Sequence, residues 1–262
     1  ALVGLGTAVL LVGATSAVEP AEVDTWSWNG TTWSPASPPP APPARGQHAM
    51  ATLGSRIVLF GGRGEPVAST GVVSLNRDDT WEWDGTSWAE RTPATRPPPR
   101  RFHAMAPLGQ KVVLFGGWDN VAGILDDTWE WDGTTWTRRF PSTSPSPRFG
   151  HALATLGGKV VLFGGQAGSS GPALGDTWEW DGTNWVARAP AAAPPTRMGH
   201  AMATLGSRVV LFGGYASNAG HRGDTWEWDG TNWTAKSTSP APSARMGHGL
   251  APSGNALLLF GG

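Results

Sequence analysis

Three side-chain types that do chemistry recur at fixed spacing. Arg45, Arg100, Arg148, Arg197 and Arg245 each stand three residues before a histidine: His48, His103, His151, His200 and His248. Aspartates recur with them, at Asp24, Asp79, Asp127, Asp176 and Asp224. Histidines and aspartates share one set of intervals, 55, 48, 49 and 48 residues. A guanidinium, an imidazole and a carboxylate in one neighbourhood could move protons, and imidazoles converging to about 2.1 Å could hold a metal. An active site, however, is normally unique, and this set occurs five times. The reading favoured is structural: each set, Arg148, His151 and Asp176 for example, ties one unit to the next by charge-assisted hydrogen bonds. No catalytic residue, metal site or cofactor is expected.

Other chemistry is absent. Asp78-Asp79 and Asp126-Asp127 are adjacent carboxylates, but neighbours on a strand point to opposite faces and make no ready acid/base couple. There is no G-x-S-x-G elbow, no H-E-x-x-H and no phosphate-binding glycine loop. The chain has no cysteine, which excludes disulfides and thiolate sites. Two N-x-T sequons, at Asn29 and Asn232, fall in turns and carry little weight.

The elements that must position these residues are strands. The 262 residues include 37 Gly, 23 Pro and 16 Trp but only 15% charged residues, a composition of turn-rich, aromatic-cored β structure. The net charge of −1 marks neither a nucleic-acid nor a membrane-surface binder. Two segments alternate: R-x-x-H-A-[ML]-A-x-L-G-x-[RK]-[VI]-V-L-F-G-G, and D-T-W-x-W-[DN]-G-T-x-W. H-A-M-A-T reads as a first strand, small and apolar. Val209-Val210-Leu211-Phe212 reads as a buried second strand, entered through a glycine turn. Thr177-Trp178-Glu179-Trp180 alternates with period two, so Trp178 and Trp180 share a face. Asp181-Gly182 then predicts a type I′ turn, and Trp185 begins the fourth strand. Four antiparallel strands at this period describe blades around a channel, with three Trp per unit filling the wedges between neighbours.

The apolar start, ALVGLGTAVLLVGATSA, could be a signal-peptide h-region. It aligns better with the repeat that starts at Ala152, and Gly13 precedes Asp24 by 11 residues, as Gly116 precedes Asp127. It is read as a degenerate first blade, and the sequence as a piece of a longer protein. The blades are expected at about 1–38, 45–94, 100–142, 148–190, 197–239 and 245–262, the last a half-blade, in one domain.

On these residues the chain resembles the kelch repeat family. Its marks are a glycine doublet ending the second strand (Gly61-Gly62, Gly116-Gly117, Gly164-Gly165, Gly213-Gly214, Gly261-Gly262) and a spaced aromatic pair (Trp83 with Trp88, Trp131 with Trp136, Trp180 with Trp185). Trp replaces the usual Tyr of that pair, and the first doublet is degenerate, Gly13-Ala14. WD repeats and the sialidase Asp-box match less well. The copper site of the related galactose oxidases needs Tyr, Cys and His, and this chain has no Cys and one Tyr, Tyr215. The resemblance implies an all-β propeller, six-bladed with the last blade incomplete. The alternative is five blades, closed by pairing the C-terminal strands with Asp24–Ser34. An incomplete ring would expose unpaired strand edges.

Function is expected where the copies differ, on loops held by rigid blades. In kelch proteins partners bind the face that carries the second-to-third-strand loops and the inter-blade loops. Here that face holds Arg63, the non-repeat Trp118 with Asp119, Tyr215, His221, a seven-residue extension near Arg63–Arg77, and the inter-blade Arg45 and Arg100. Trp, Tyr and Arg are the side chains enriched at binding hot spots. Pro-rich inter-blade runs such as Arg96-Pro97-Pro98-Pro99 read as stiff spacers. The expected function is a non-enzymatic scaffold that binds a protein or peptide. The alternatives are a carbohydrate-binding propeller, with Trp118 or Tyr215 stacked on a sugar, and a purely structural array. No nucleic-acid partner and no membrane insertion are expected. Arg outnumbers Lys 16 to 3, which suggests a GC-rich bacterial source, with an extracellular or cell-surface setting.

Overall fold

A computed structural model describes residues 1–6, 8–14, 23–36, 39–64, 76–168, 171–237 and 239–262. Every regular element among them is a β-strand. Blade 1 is built from Leu2–Leu5, Ala8–Ala14, Val23–Trp28 and Trp33–Pro35, in that order across the sheet. Blade 2 uses Ala49–Leu53, Arg56–Phe60, Thr80–Trp83 and Trp88–Arg91; blade 3 uses Ala104–Leu108, Lys111–Asp119, Gly123–Trp131 and Trp136–Arg139. Blade 4 uses Ala152–Leu156, Lys159–Phe163, Thr177–Trp180 and Trp185–Arg188; blade 5 uses Ala201–Leu205, Arg208–Phe212, Thr225–Trp228 and Trp233–Lys236. Each is a four-stranded antiparallel sheet in sequence order. A hairpin of Gly249–Ser253 and Ala256–Phe260 forms a separate two-stranded sheet.

The count of five four-stranded blades matches the five-blade alternative, although the strand exchange imagined for it does not form. Ala8–Ala14 pairs with Val23–Trp28 inside blade 1, so the apolar N-terminal segment is strand. Its register repeats that of blade 4: Leu2 faces Leu11 as Leu153 faces Leu162. The C-terminal hairpin stands between blades 5 and 1. A Cβ built on Gly4 would fall 2.5 Å from the Pro252 carbonyl oxygen, and one on Gly249 would fall 2.5 Å from the Leu2 Cβ. The first strands therefore surround one axis, around a channel of about 360 Å³ to which each contributes three residues, with Val3, Ala51, Ala106, Ala154, Ala203 and Ala251 in the middle of each set.

The core lies between blades rather than within them. Val58 and Phe60 of blade 2 pack with Val112, Leu114, Trp129, Trp131 and Trp136 of blade 3. The period-two third strand explains this: its Trp side faces the preceding blade, and its Thr/Glu side faces the next. In blades 3, 4 and 5 the last Trp meets the Phe that ends the preceding second strand, edge to face: Phe60–Trp136 at 5.2 Å, Phe115–Trp185 at 5.1 Å and Phe163–Trp233 at 5.3 Å. Phe260 of the hairpin meets Trp33 of blade 1 in the same way at 5.6 Å, which closes the ring. Buried hydrogen bonds add to these seams. The Trp136 indole N–H donates to Thr80 Oγ1, Trp185 to Thr128 and Trp233 to Thr177, each at 2.9 Å.

One local expectation is corrected. Asp-Gly does not make a two-residue type I′ turn, because only Gly182 has positive φ and the strands close on Trp180 and Trp185. The loop has four residues, and Asp181 Oδ1 accepts the N–H groups of Thr183 and Asn184 at 2.7 and 2.9 Å. The carboxylate, not the paired positive φ values, sets this turn.

Candidate functional site

Four of the repeated arginines are the most buried charged groups among the described residues; Arg45, Arg100, Arg148 and Arg197 have at most 1% exposure. Arg100 binds Asp127 through both guanidinium nitrogens, at 2.6 and 2.8 Å, and also the Pro98 and Gly116 carbonyls at 3.0 Å. Arg45 binds Asp79 at 2.5 and 2.6 Å, together with the Pro43 and Gly61 carbonyls. Burial pushes the Asp127 carboxyl up, but the Arg100 hydrogen bonds and charge outweigh it and hold the group below the usual carboxylate range.

This corrects two expectations. Arg45 and Arg100 are occupied inside the blades and offer no guanidinium to a ligand. The Arg–Asp pair also joins the lead-in of a blade to its own third strand, as Arg148 does with Asp176, rather than to the next blade. The tie between blades is made by the backbone of these arginines: the N–H groups of Gly62 and Gly117 donate to the Arg100 and Arg148 carbonyls at 2.9 Å.

The histidines are wedges. His103 rests edge to face on Phe60 at 5.7 Å, and His151 on Phe115 at 5.5 Å. Burial, helped by the neighbouring arginine, drives the pKa of His103 and of His151 down to about 3, so both are neutral at pH 7. No three His, Asp or Glu side chains among the described residues converge on one point. The adjacent carboxylates point apart: Asp79 goes to Arg45, and Asp78 to Arg96 at 2.7 Å.

The loop face is organised differently. Segments leading into the first strands pair with segments after the glycine doublets: Arg45-Gly46 with Arg63-Gly64, Arg101 with Trp118, Phe149 with Gln166, and Met198 with Tyr215. Both loop classes therefore share one face. A chain of backbone hydrogen bonds also runs around the axis there. The N–H of Phe102 donates to Gln47 O, Gly150 to Phe102, Gly199 to Gly150 and Gly247 to Gly199, at 2.8–3.0 Å. All five residues have φ between 56° and 71°. Three are glycine, as that region favours; Gln47 and Phe102 keep side chains there against a cost of about 1 kcal/mol each.

A polar and aromatic cluster rises beside them. The Arg101 guanidinium lies 5.2 Å from the centre of the Trp118 ring and 6.0 Å from that of Phe102, and it donates to Asn76 Oδ1 and Asn120 Oδ1 at 3.1 and 3.0 Å. Trp118 and Phe102 both pack on Phe149, at 5.3 and 5.9 Å. Arg63 is exposed, and Arg77 is half-buried with its Nε lacking a hydrogen-bond partner among the described residues. Among the described residues none of Arg63, Arg77 and Arg101 has a carboxylate within ion-pair reach. Burial, then the charge of Arg63, lowers the pKa of Arg101.

Residues 1–186 and 150–262 match the family described as the KLHDC2/KLHL20/DRC7 Kelch-repeats domain. The chain belongs to this kelch-repeat family. A flagellar outer-arm dynein alpha chain of Chlamydomonas reinhardtii is similar to it, 39% identical over 79 residues, which cover 29% of this chain and 2% of that protein. The kelch chain thus spans a small fraction of that relative's length.

The other expected site residues are dispersed. Asp119 is 6% exposed, and its Oδ1 accepts the N–H groups of Val121 and Ala122, so it shapes its own turn. Tyr215 stacks edge to face on His221 at 5.3 Å, in blade 5. The extension between Arg63 and Arg77 falls mostly on residues 65–75, outside the described residues. Sequence reasoning missed Arg101, Phe102, Phe149 and Asn76. The available signal was the residue just before each repeat histidine: Gly in three copies, but Gln47 and Phe102 in two.

Proposed function

We propose that the kelch propeller is a non-enzymatic scaffold that binds an extended, acidic protein segment through its loop face, in the sector of blades 2 and 3. One observation carries this reading. Arg63, Arg77 and Arg101 share a rim with the aromatic rings of Phe102 and Trp118, and among the described residues none of the three makes an ion pair with a carboxylate. Kelch propellers generally bind proteins, and a cationic rim around aromatic anchors suits a carboxylate-bearing peptide with an apolar side chain. The φ strain kept at Gln47 and Phe102 supports the same reading, because the fold would be served better by glycine there. A sugar is less well accommodated, because the Trp118 ring is already flanked by Arg101 and Phe149.

A peptide array that varies acidic, neutral and basic residues around one aromatic tests this directly. Acidic peptides should bind, more weakly as salt rises. Arg63→Gln and Arg101→Gln should each weaken binding about tenfold, while Gln110→Glu, on an exposed turn of the opposite face, should not. Equal binding of acidic and basic peptides, or sensitivity only to Gln110→Glu, would refute the reading.

A further inference from the structure

The turn between the third and fourth strands of blade 1 breaks the repeat at one atom. Four copies place an aspartate before the turn glycine, at Asp84, Asp132, Asp181 and Asp229; blade 1 has Asn29 there, before Gly30, the one Asn-Gly step in the sequence. The fold demands the glycine: φ is 104° at Gly30, and 107°, 97°, 98° and 96° at Gly85, Gly133, Gly182 and Gly230, a region that side chains rarely enter. It does not demand the amide. Asp84 Oδ1 accepts the N–H groups of Thr86 and Ser87 at 2.8 Å, as Asn29 Oδ1 accepts those of Thr31 and Thr32 at 2.9 Å. Asn29 is exposed, and so are Asp132, Asp181 and Asp229, which each follow a complete blade. Water therefore reaches this position in every copy.

The same turn holds the Asn29 amide in a reactive setting. The Cγ of an asparagine can be attacked by the peptide nitrogen of the residue that follows it, and glycine hinders that nitrogen least. A Cβ built on Gly30 would meet nothing within 4 Å, so the neighbourhood is open. Three donors converge on Asn29 Oδ1: the N–H groups of Thr31 and Thr32 and the Thr31 hydroxyl, each at 2.9 Å. Negative charge builds on this oxygen as the nitrogen attacks, and donors already in place stabilise it. Nδ2, the leaving nitrogen, donates to Thr32 Oγ1 at 3.2 Å, which sets a hydroxyl beside it.

We infer that Asn29 is a self-modifying site, which loses its side-chain amide in the folded chain and gives blade 1 the carboxylate that the other four blades carry in this turn. The Gly30 amide gives its proton to solvent base, and its nitrogen bonds to Asn29 Cγ. The Cγ–Nδ2 bond then breaks, and Nδ2 leaves as ammonia with a proton from water. The resulting succinimide is opened by one water. Cleavage of the new N–Cγ bond leaves aspartate, and cleavage at the main-chain carbonyl leaves isoaspartate. The sum is one amide and one water giving one carboxylate and one ammonium ion, with no change of oxidation state. Aspartate regains the hydrogen bonds of the turn, as Asp84 shows by also accepting the Thr86 hydroxyl at 2.8 Å. Isoaspartate lengthens the main chain between Trp28 and Trp33, which pair across the turn, and so disturbs the outer strand of blade 1.

Timed incubation of the whole chain at neutral and at alkaline pH, followed by digestion and mass spectrometry, tests this. The fragment holding residue 29 is compared with those holding Asn76, Asn120, Asn184, Asn218, Asn232 and Asn255, none of which precedes glycine. The expected result is the mass gain of amide-to-acid exchange at Asn29 alone, faster at alkaline pH. Conversion in the folded chain should be at least as fast as in a free peptide of residues 24–34. Thr31→Val keeps the N–H donors but removes the hydroxyl, and should slow conversion about threefold or more. Thr31→Ser keeps the hydroxyl and should restore the rate. An Asn29 that stays intact in the folded chain while the free peptide converts would overturn the inference, because the turn would then shield the amide. So would equal conversion at the other asparagines, or a rate indifferent to Thr31→Val.

Discussion

Mild acid should unfold this propeller well before its carboxylates titrate. His48 and His200 have pKa values driven well below 6.5 by burial first and neighbouring charge second; His103 and His151 lie near 3, and His248 near 4. An unfolded histidine titrates near pH 6.5. Between these values the unfolded chain binds more protons than the folded one. Stability is therefore complete above about pH 6.5 and falls as pH falls toward about 4. At pH 5.5 an unfolded histidine is protonated roughly ten to one, which favours unfolding by about 1.4 kcal/mol for each buried neutral ring. Five rings give about 7 kcal/mol, comparable with the whole stability of an ordinary domain, about 5–15 kcal/mol. Urea unfolding at pH 7.5 and pH 5.5, followed by tryptophan fluorescence, measures this. His151→Leu should reduce the loss by about one fifth, whatever it does to stability at pH 7.5. Equal midpoints at the two pH values would show that the rings accept protons in the folded state, and the wedge account of the histidines would be wrong.

Three further outcomes follow from the packing. Arg100→Met should destabilise by about 3–5 kcal/mol, because Asp127 is left charged and buried, and Arg100→Met with Asp127→Leu should recover most of that in chemical denaturation. Gly164→Ala should cost far more than Gly150→Ala: the new Cβ would fall 2.6 Å from the Arg197 carbonyl oxygen in the first case and 3.6 Å from its nearest neighbour in the second. The Gly150 variant then measures the positive-φ cost alone, about 1–2 kcal/mol by thermal unfolding. Trp136→Phe should cost about 1–3 kcal/mol, from lost volume and the lost indole hydrogen bond to Thr80.

Much of the fold was legible because each blade repeats a pattern whose period is physical. The alternation in Thr177–Trp180 announced a strand with two different faces, and the structure sends one face to each neighbouring blade. The spacing of Gly13 from Asp24 placed the apolar N-terminal segment in the repeat, and its pairing follows blade 4. The destination of Arg100 was not legible. The expected blade 100–142 held both Arg100 and Asp127, but only the structure shows that the two side chains pair within it instead of tying one blade to the next. The Asp181 turn misled for a related reason: Asp-Gly fits two loop lengths, and the flanking Trp180–Trp185 pair selects the longer. The loop-face cluster was half visible. Trp118 stood out as a break in the repeat, whereas Arg101 and Phe102 sat inside a segment that looked constant, and Asp119 was conspicuous but is spent on its own turn.

The loop-face account is tested most directly by a hydrogen-exchange footprint of the tightest acidic peptide from the array. Protection should appear at residues 46–47, 63–64, 101–102 and 117–119, and the opposite-face turns at 54–55, 109–110 and 132–135 should be unchanged. Protection confined to those turns, or spread evenly over both faces, would contradict it.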